Sequence, residues 1–223
     1  METATGNTGW AREILVVFGL LSILVAAVFI FAQRDVKRLL AYSSVEHLGI
    51  ISLGVGIGGL GTLAALFHML NHSLCKVTAF CCAGRLGQIY GTHEMRRMTR
   101  IIHVAPVWGG GLTGCLLALI GAAPFAIFLS EFLTLKAAVD TGSYWLAGLF
   151  LAGLGGVFLG ALRHTIAMAW NPQAEAVARQ APRVLDGLLV FAPLAAVLVL
   201  GVWLPPPFLD LLTQVAKALG GGS

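Results

Sequence analysis

Apolar runs of about 20 residues, the length at which a helix crosses about 30 Å of hydrocarbon, follow one another along the chain with short polar joints between them. The first runs from Ile14 to Gln33 and the second from Leu39 to Ile57, separated by the basic joint Arg34-Asp35-Val36-Lys37-Arg38. A glycine-rich turn, Gly56–Gly61, leads into a third run, Leu63–Gly84, which ends at Arg85. A polar connector with His93, Glu94, Arg96, Arg97 and Arg100 follows, and apolar residues then resume at Val104 and continue to Val139. Tyr144–Ala169 and Leu188–Leu204 complete the set, and Pro205–Pro207 stop the last one. Phe208–Leu219, with Asp210 and Lys217, has the amphipathic pattern of a segment lying at the membrane interface.

The Val104–Val139 run is too long for one straight crossing and is interrupted by Gly121-Ala122-Ala123-Pro124. If it crossed twice, the loop holding Arg163, Arg179 and Arg183 would lie opposite the other two basic joints, against the positive-inside bias. A single broken helix puts all three joints on one side, assigned as cytoplasmic. The pattern therefore predicts an all-α polytopic membrane protein with about six transmembrane helices, one of them broken. Pro124 withdraws a backbone donor and Gly121 loosens the helix, and non-helical backbone at mid-bilayer is tolerated where it lines a cavity.

Composition narrows the class further. Hydrophobic residues make up 58% of the chain and charged residues 11%, against about 25% charged in soluble domains. The net charge of +4 comes from arginines in the joints, where they act as topology signals, so no nucleic-acid role is expected. Met1–Trp10 is uncharged apart from Glu2, with no basic region or cleavage site before the first apolar run, so a retained first span is expected rather than a signal peptide. Cys75, Cys81, Cys82 and Cys115 lie in apolar segments without paired spacing, which predicts packing roles and no disulfide, zinc or iron–sulfur site.

The chemistry is concentrated in a few intramembrane groups. His68, His72 and Lys76 recur every fourth residue inside the third run, and steps of four drift only about 40° around a helix, so they form one polar stripe. A charge at the centre of a membrane helix costs roughly 2.5–3.5 kcal/mol on insertion scales, so such groups point to a proton or ion path. Lys76 can instead snorkel to the interface, although Val77–Gly84 still follow it. Glu131, about two turns after the break, lies between Phe128-Leu129-Ser130 and Phe132-Leu133-Thr134-Leu135 and has no solvated face; its alternative is a structural pair with Lys136. His72 is either a satisfied core histidine or a relay group one turn before Lys76, and the same choice holds for His68 and His47. Lys37, at a helix boundary, reads on periodicity as a topology marker, and Arg163, His164 and Asp186 read as interfacial.

Three motifs in order, Arg34-Asp35-Val36-Lys37-Arg38 through Tyr42-Ser43-Ser44-Val45-Glu46-His47-Leu48-Gly49, then His68-Met69-Leu70-Asn71-His72-Ser73-Leu74-Cys75-Lys76, then Pro124 through Ser130-Glu131-Phe132, resemble the antiporter-like membrane subunits. That family includes proton-pumping subunits of respiratory complex I, Mrp cation/proton antiporters and membrane-bound hydrogenases. The Glu46-His47 pair and Asn71-His72-Ser73 are similar to its hydrogenase-4 component F branch, the formate hydrogenlyase type. The resemblance covers about Phe18 to Trp170. It implies a repeat of five helices containing a broken one, with lysines, histidines and a glutamate joined by water. Lys37, His47, His72, Lys76 and Glu131 match the family's relay or switching positions, and His68 joins them on the stripe. Full members have about fourteen spans in two inverted repeats, whereas this chain carries what resembles the second repeat and the last helix, without the first repeat's lysine–glutamate pair. The resemblance thus implies a fragment, or a truncated or split product whose partner supplies the first repeat. A half alone is not expected to pump.

The resulting organisation is a polar N-terminal segment at 1–13, an antiporter-like helical repeat at 14–170, a basic cytoplasmic loop at 171–187, a final transmembrane helix at 188–206 and an interfacial tail at 207–223. The expected function is proton translocation within a membrane-bound hydrogenase or complex I-like assembly of a bacterial or archaeal inner membrane. No cofactor, metal or catalytic centre of its own is expected, so electrons are left to peripheral hydrogenase or dehydrogenase subunits and coupling must arrive through conformation or electrostatics. The expected partners are those subunits, other membrane subunits including one supplying the first helical repeat, and the lipid bilayer. Two rivals stand beside it: a structural membrane anchor without transport, and a component of a sodium or potassium/proton antiporter.

Overall fold

The computed structural model describes residues 8–172 and 177–219, and among them every regular element is helical. In chain order these are α1 (Thr8–Ala32), α2 (Val36–Ile57), α3 (Leu60–Tyr90), α4 (Ile101–Val104), α5 (Pro106–Leu119), α6 (Ala126–Asp140), α7 (Tyr144–Trp170), α8 (Val184–Val202) and α9 (Pro206–Leu219). The expected polar segment falls partly outside the described residues, and from Thr8 onward the chain is already helical. Asp35 starts α2 by accepting hydrogen bonds from the backbone N–H groups of Lys37 and Arg38, the usual way a short acidic side chain satisfies a first turn. Helix α3 does not stop at Arg85 but continues through Tyr90 to a left-handed Gly91.

Four helices are long and apolar enough to cross a membrane by length and composition: Gly9–Ala32 within α1, then α2, α7 and α8. Helix α3 is longer still, at 31 residues, and carries the polar stripe. Helices α5 and α6 are shorter, at 14 and 15 residues. Both pack along α3 and α8 but touch each other little. A hairpin of two helices would bury a shared face, so these are successive halves of one interrupted crossing. The chain is an all-α polytopic membrane protein with about six transmembrane helices, one broken, as the charge argument requires.

The basic joints meet at one end of the molecule. The N–H of Val36 donates to the carbonyl of His93 at 3.0 Å and that of Met95 to Arg34 at 2.8 Å, pairing the first joint with the connector. The N–H of Gln180 donates to Val104 at 2.7 Å, which brings in the loop with Arg179 and Arg183. Arg163 reaches the Phe31 carbonyl at 3.0 Å, beside the first joint.

The larger apolar core lies around α3, with Leu39, Leu40, Phe67, Leu86, Met98, Leu112 and Ile127 fully buried. A smaller one, with Ile23, Ile50, Leu53 and Phe150, joins α1, α2 and α7. Phe18, Val28, Leu48, Val77, Leu159 and most of α8 point outward, as they must where the surroundings are lipid or other membrane subunits. Helix α9 turns Leu212 and Ala216 inward and sets Phe208 edge-on against Phe67 of α3, 6.4 Å between ring centres.

Candidate functional site

Helices α2 and α3 run antiparallel across the Gly58–Gly59 turn, so positions 40–47 of one face positions 68–76 of the other. Helix α6 enters against both just after the break. The polar residues of these three helices converge. The Lys76 ammonium donates to the Leu40 carbonyl and to the Ser43 hydroxyl, each at 2.7 Å. Deeper in, His47 Nδ1 lies 2.9 Å from His68 Nε2, and His68 Nδ1 lies 2.8 Å from the Ser130 hydroxyl.

The direction of this chain follows from one hydrogen. Ser130 donates to the Ile127 carbonyl at 2.7 Å, and a carbonyl can only accept. Ser130 is therefore the acceptor for His68 Nδ1–H, which leaves His68 Nε2 to accept from His47 Nδ1–H. In a neutral His47 the lone pair then sits on Nε2, and that atom faces Glu46 Oε2 at 3.6 Å. His72 lies beside the pair, its ring centre 4.8 Å from His47 and 6.5 Å from His68. Asn71 donates to the Phe67 carbonyl at 2.8 Å. Glu46 Oε2, His47 Nε2, Asn71 Oδ1 and His72 Nε2 are buried and have no hydrogen-bond partner among the described residues.

Glu131 completes the cluster from the broken helix. It is 7% exposed, and one donor atom each from Glu46, His47 and Glu131 lie within 4.8 Å of one another. Its carboxylate rests on Gly121, whose φ of +70° lies in the left-handed region. A Cβ at Gly121 would meet Glu131 Oε2, so the break makes room for the carboxylate. Helix α8 braces the same turn through Gly201, where a Cβ would strike the Pro124 carbonyl. Glu131 does not pair with Lys136: that lysine binds Asp140 at 2.6 Å on the exposed face, and the expected structural alternative for Glu131 is thereby removed.

Of the six residues expected at the site, the structure brings together Lys76, His72, His68, His47 and Glu131. Lys37 stands apart. It is exposed on the first turn of α2, ten residues and hence about 15 Å along the helix from His47. Glu46, Ser130, Ser43 and Asn71 enter from the structure. A signal existed for Glu46, an unexplained carboxylate in an apolar run beside His47. None existed for Ser130, whose partner His68 lies 62 residues earlier.

The model of the family described as NADH:quinone oxidoreductase/Mrp antiporter, TM, matches residues 2–156. The chain is 36% identical over 200 residues to the hydrogenase-4 component F homolog of Methylacidiphilum infernorum (isolate V4), a stretch covering 88% of this chain and 40% of that protein. Its fold is similar to a chain of the membrane-bound sulfane sulfur reductase, an archaeal respiratory membrane complex, with a TM-score of 0.85 and 26% identity over 96% of this chain and 43% of that one. It is also similar to a chain of respiratory complex I from Thermus thermophilus, with a TM-score of 0.83 and 28% identity over 96% of this chain and 46% of the other. The chain spans less than half the length of each.

Proposed function

Because the chain belongs to the NADH:quinone oxidoreductase/Mrp antiporter transmembrane family, we propose that it relays protons across the hydrophobic layer as one membrane subunit of a hydrogenase-4-type or complex I-like assembly. The observation that carries this reading is the bonded line from His47 through His68 to Ser130. Glu46 and Glu131 flank it, and Lys76 lies two turns along α3 from His68. Imidazole suits the task because it can take a proton on one nitrogen and release another from the second. The buried polar atoms left without protein partners along the same stripe are suited to water or a travelling proton.

The step itself needs no cofactor. A proton delivered to His47 Nε2 lets the Nδ1 proton pass to His68 Nε2. The Nδ1 proton of His68 then moves to the Ser130 oxygen as the hydroxyl turns from Ile127 and releases its own hydrogen to the next acceptor, such as a water. Coupling to redox chemistry would come from partner subunits. The hydrogenase-4 assignment is supported by similarity to the component F homolog. The test is Lys76→Met in the intact assembly, reconstituted in vesicles with a pH-sensitive dye. Proton translocation should be abolished while the complex still assembles, and normal proton movement in that variant would remove the relay.

A structural reading is favoured by one contact, the direct hold of Lys76 on Leu40 and Ser43, which ties α3 to α2. Under that reading, neutral replacements lower the amount of assembled complex, and residual transport scales with that amount.

A further inference from the structure

We propose that Glu46, His47 and Glu131 form a binding site for one divalent transition-metal ion of the zinc class. No metal is expected from the spacing of residues along the chain, and the site arises only when α2 and α6 are brought together. The binding claim stands on geometry alone. Its consequence for transport rests on the proton relay proposed above.

Three donor atoms, two from carboxylates and one from imidazole, lie within 4.8 Å of one another. Their residues are buried, at 1%, 0% and 7% exposure for Glu46, His47 and Glu131. Glu46 Oε2 and His47 Nε2 face each other with no other partner. Their separation of 3.6 Å is longer than an N–H···O or O–H···N hydrogen bond. It is close to about 3.4 Å, the edge of a tetrahedron whose metal–ligand bonds are about 2.1 Å. Two buried acceptors pointed at one another repel unless a positive charge stands between them, and a metal ion meets that need at this spacing.

The imidazole is already prepared for a metal. Its Nδ1–H is committed to His68, which is in turn committed to Ser130, so the lone pair is left on Nε2. An outer partner on the second ring nitrogen is what fixes the tautomer and orientation of a metal-ligating histidine. The donor set selects among ions, since imidazole with carboxylates suits zinc and its neighbours whereas magnesium and calcium take oxygen ligands. Three protein ligands leave a fourth position open. The Lys76 ammonium is the nearby opposing charge, and two of its three hydrogens are directed to Leu40 and Ser43. An ion held here would occupy the place through which a proton enters His47, so zinc would block transport.

The experiment uses the full chain purified with its accompanying membrane subunits, stripped with chelator and reloaded with zinc. Bound metal is counted after desalting, affinity is read by competition with a chromophoric chelator, and the ligand shell is read by X-ray absorption. The expected result is one zinc per chain in a nitrogen and oxygen shell without sulfur, resistant to excess magnesium and lost in Glu46→Gln. Ser130→Ala, whose lost hydroxyl bonds His68 and none of the three ligands, should weaken binding by about 10–100-fold, the scale of outer-shell partners. Should Glu46→Gln fail to assemble, the wild-type ligand shell and the Ser130→Ala titration decide the matter. Sulfur in the shell would move the ion to Cys75, Cys82 or Cys115 and overturn the site, as would zinc binding equal in wild type and both variants. Zinc bound here with proton flux undiminished would sustain the site and overturn the relay. Normal flux with no zinc retained would do the reverse.

Discussion

His47 and His68 share a 2.9 Å hydrogen bond between buried imidazoles on different helices. The same His68 ring reaches Ser130 on α6 through its other nitrogen. One side chain therefore links His47 of α2 to the broken helix, and its replacement should separate proton conduction from folding. His68→Ala would leave the buried His47 Nδ1–H without its acceptor, at about 1–3 kcal/mol, while Ser130 keeps its bond to the Ile127 carbonyl. His68→Gln keeps one donor and one acceptor but cannot pass a proton from nitrogen to nitrogen. Proton uptake by vesicles carrying the Gln variant should fall by about 100-fold or more, the scale of a lost general acid–base group, at an unchanged level of assembly. Uptake at the wild-type rate would take His68 out of the path.

Ser43→Ala addresses the other end of the stripe. It removes one of the two acceptors that hold the Lys76 ammonium, the hydroxyl 2.7 Å from Nζ, and a hydrogen bond to a charged group contributes about 1.5–3 kcal/mol. The Leu40 carbonyl remains in place to hold the ammonium. The thermal midpoint of the purified assembly should drop, while proton flux per assembled complex stays unchanged, because the Leu40 carbonyl still holds the Lys76 ammonium in place. A loss of flux at full stability would instead place Ser43 on the conducting route.

Gly121→Ala tests whether the helix break serves Glu131. A non-glycine residue at φ +70° costs roughly 1–2 kcal/mol, and here the new methyl would also meet the Glu131 carboxylate. Gly142 supplies the control: its φ is +74° and nothing lies within 4 Å of a Cβ built on it. Gly142→Ala should therefore show similar destabilisation in thermal unfolding with transport intact, while Gly121→Ala should lose both. Equal transport in the two variants would mean that the seat of Glu131 does not matter.

What could be read in advance was what helix geometry translates directly. His68, His72 and Lys76 share a face because they are four residues apart, and the broken crossing followed from Gly121, Pro124 and the placement of arginines in the joints. The alternative pairing of Glu131 with Lys136 fails on the same geometry: five residues set the two about 140° apart around the helix, and the lysine instead takes Asp140, four residues on, along the exposed face. Helix α3 outran its apolar run because a basic residue such as Arg85 does not stop a helix, whereas the left-handed Gly91 does. Ser130 was illegible for a different reason. Its meaning depends on His68 arriving from another helix, and no spacing within α6 encodes that contact.

Lys37 is the case where resemblance and geometry point to different roles, and a salt titration distinguishes them. The family motif matches it to a relay position, but the structure leaves it exposed at the start of α2, one turn before Leu40, whose carbonyl receives Lys76. A solvent-facing ammonium acts on the buried stripe through its field alone. Fields between exposed charges are largely screened beyond about 8 Å at physiological ionic strength. If Lys37 tunes entry of protons in this way, Lys37→Gln should alter flux at low salt, and the difference from wild type should vanish as salt is raised. If Lys37 carries the proton itself, the variant should be equally impaired at every salt concentration, because a missing carrier is not restored by screening. Initial rates of proton uptake in vesicles, measured for both proteins from about 10 mM salt, where the screening length is about 30 Å, to about 150 mM, discriminate between them. The exposure of Lys37 leads us to expect the salt-dependent outcome, which would restrict the conducting set to the buried groups of α2, α3 and α6.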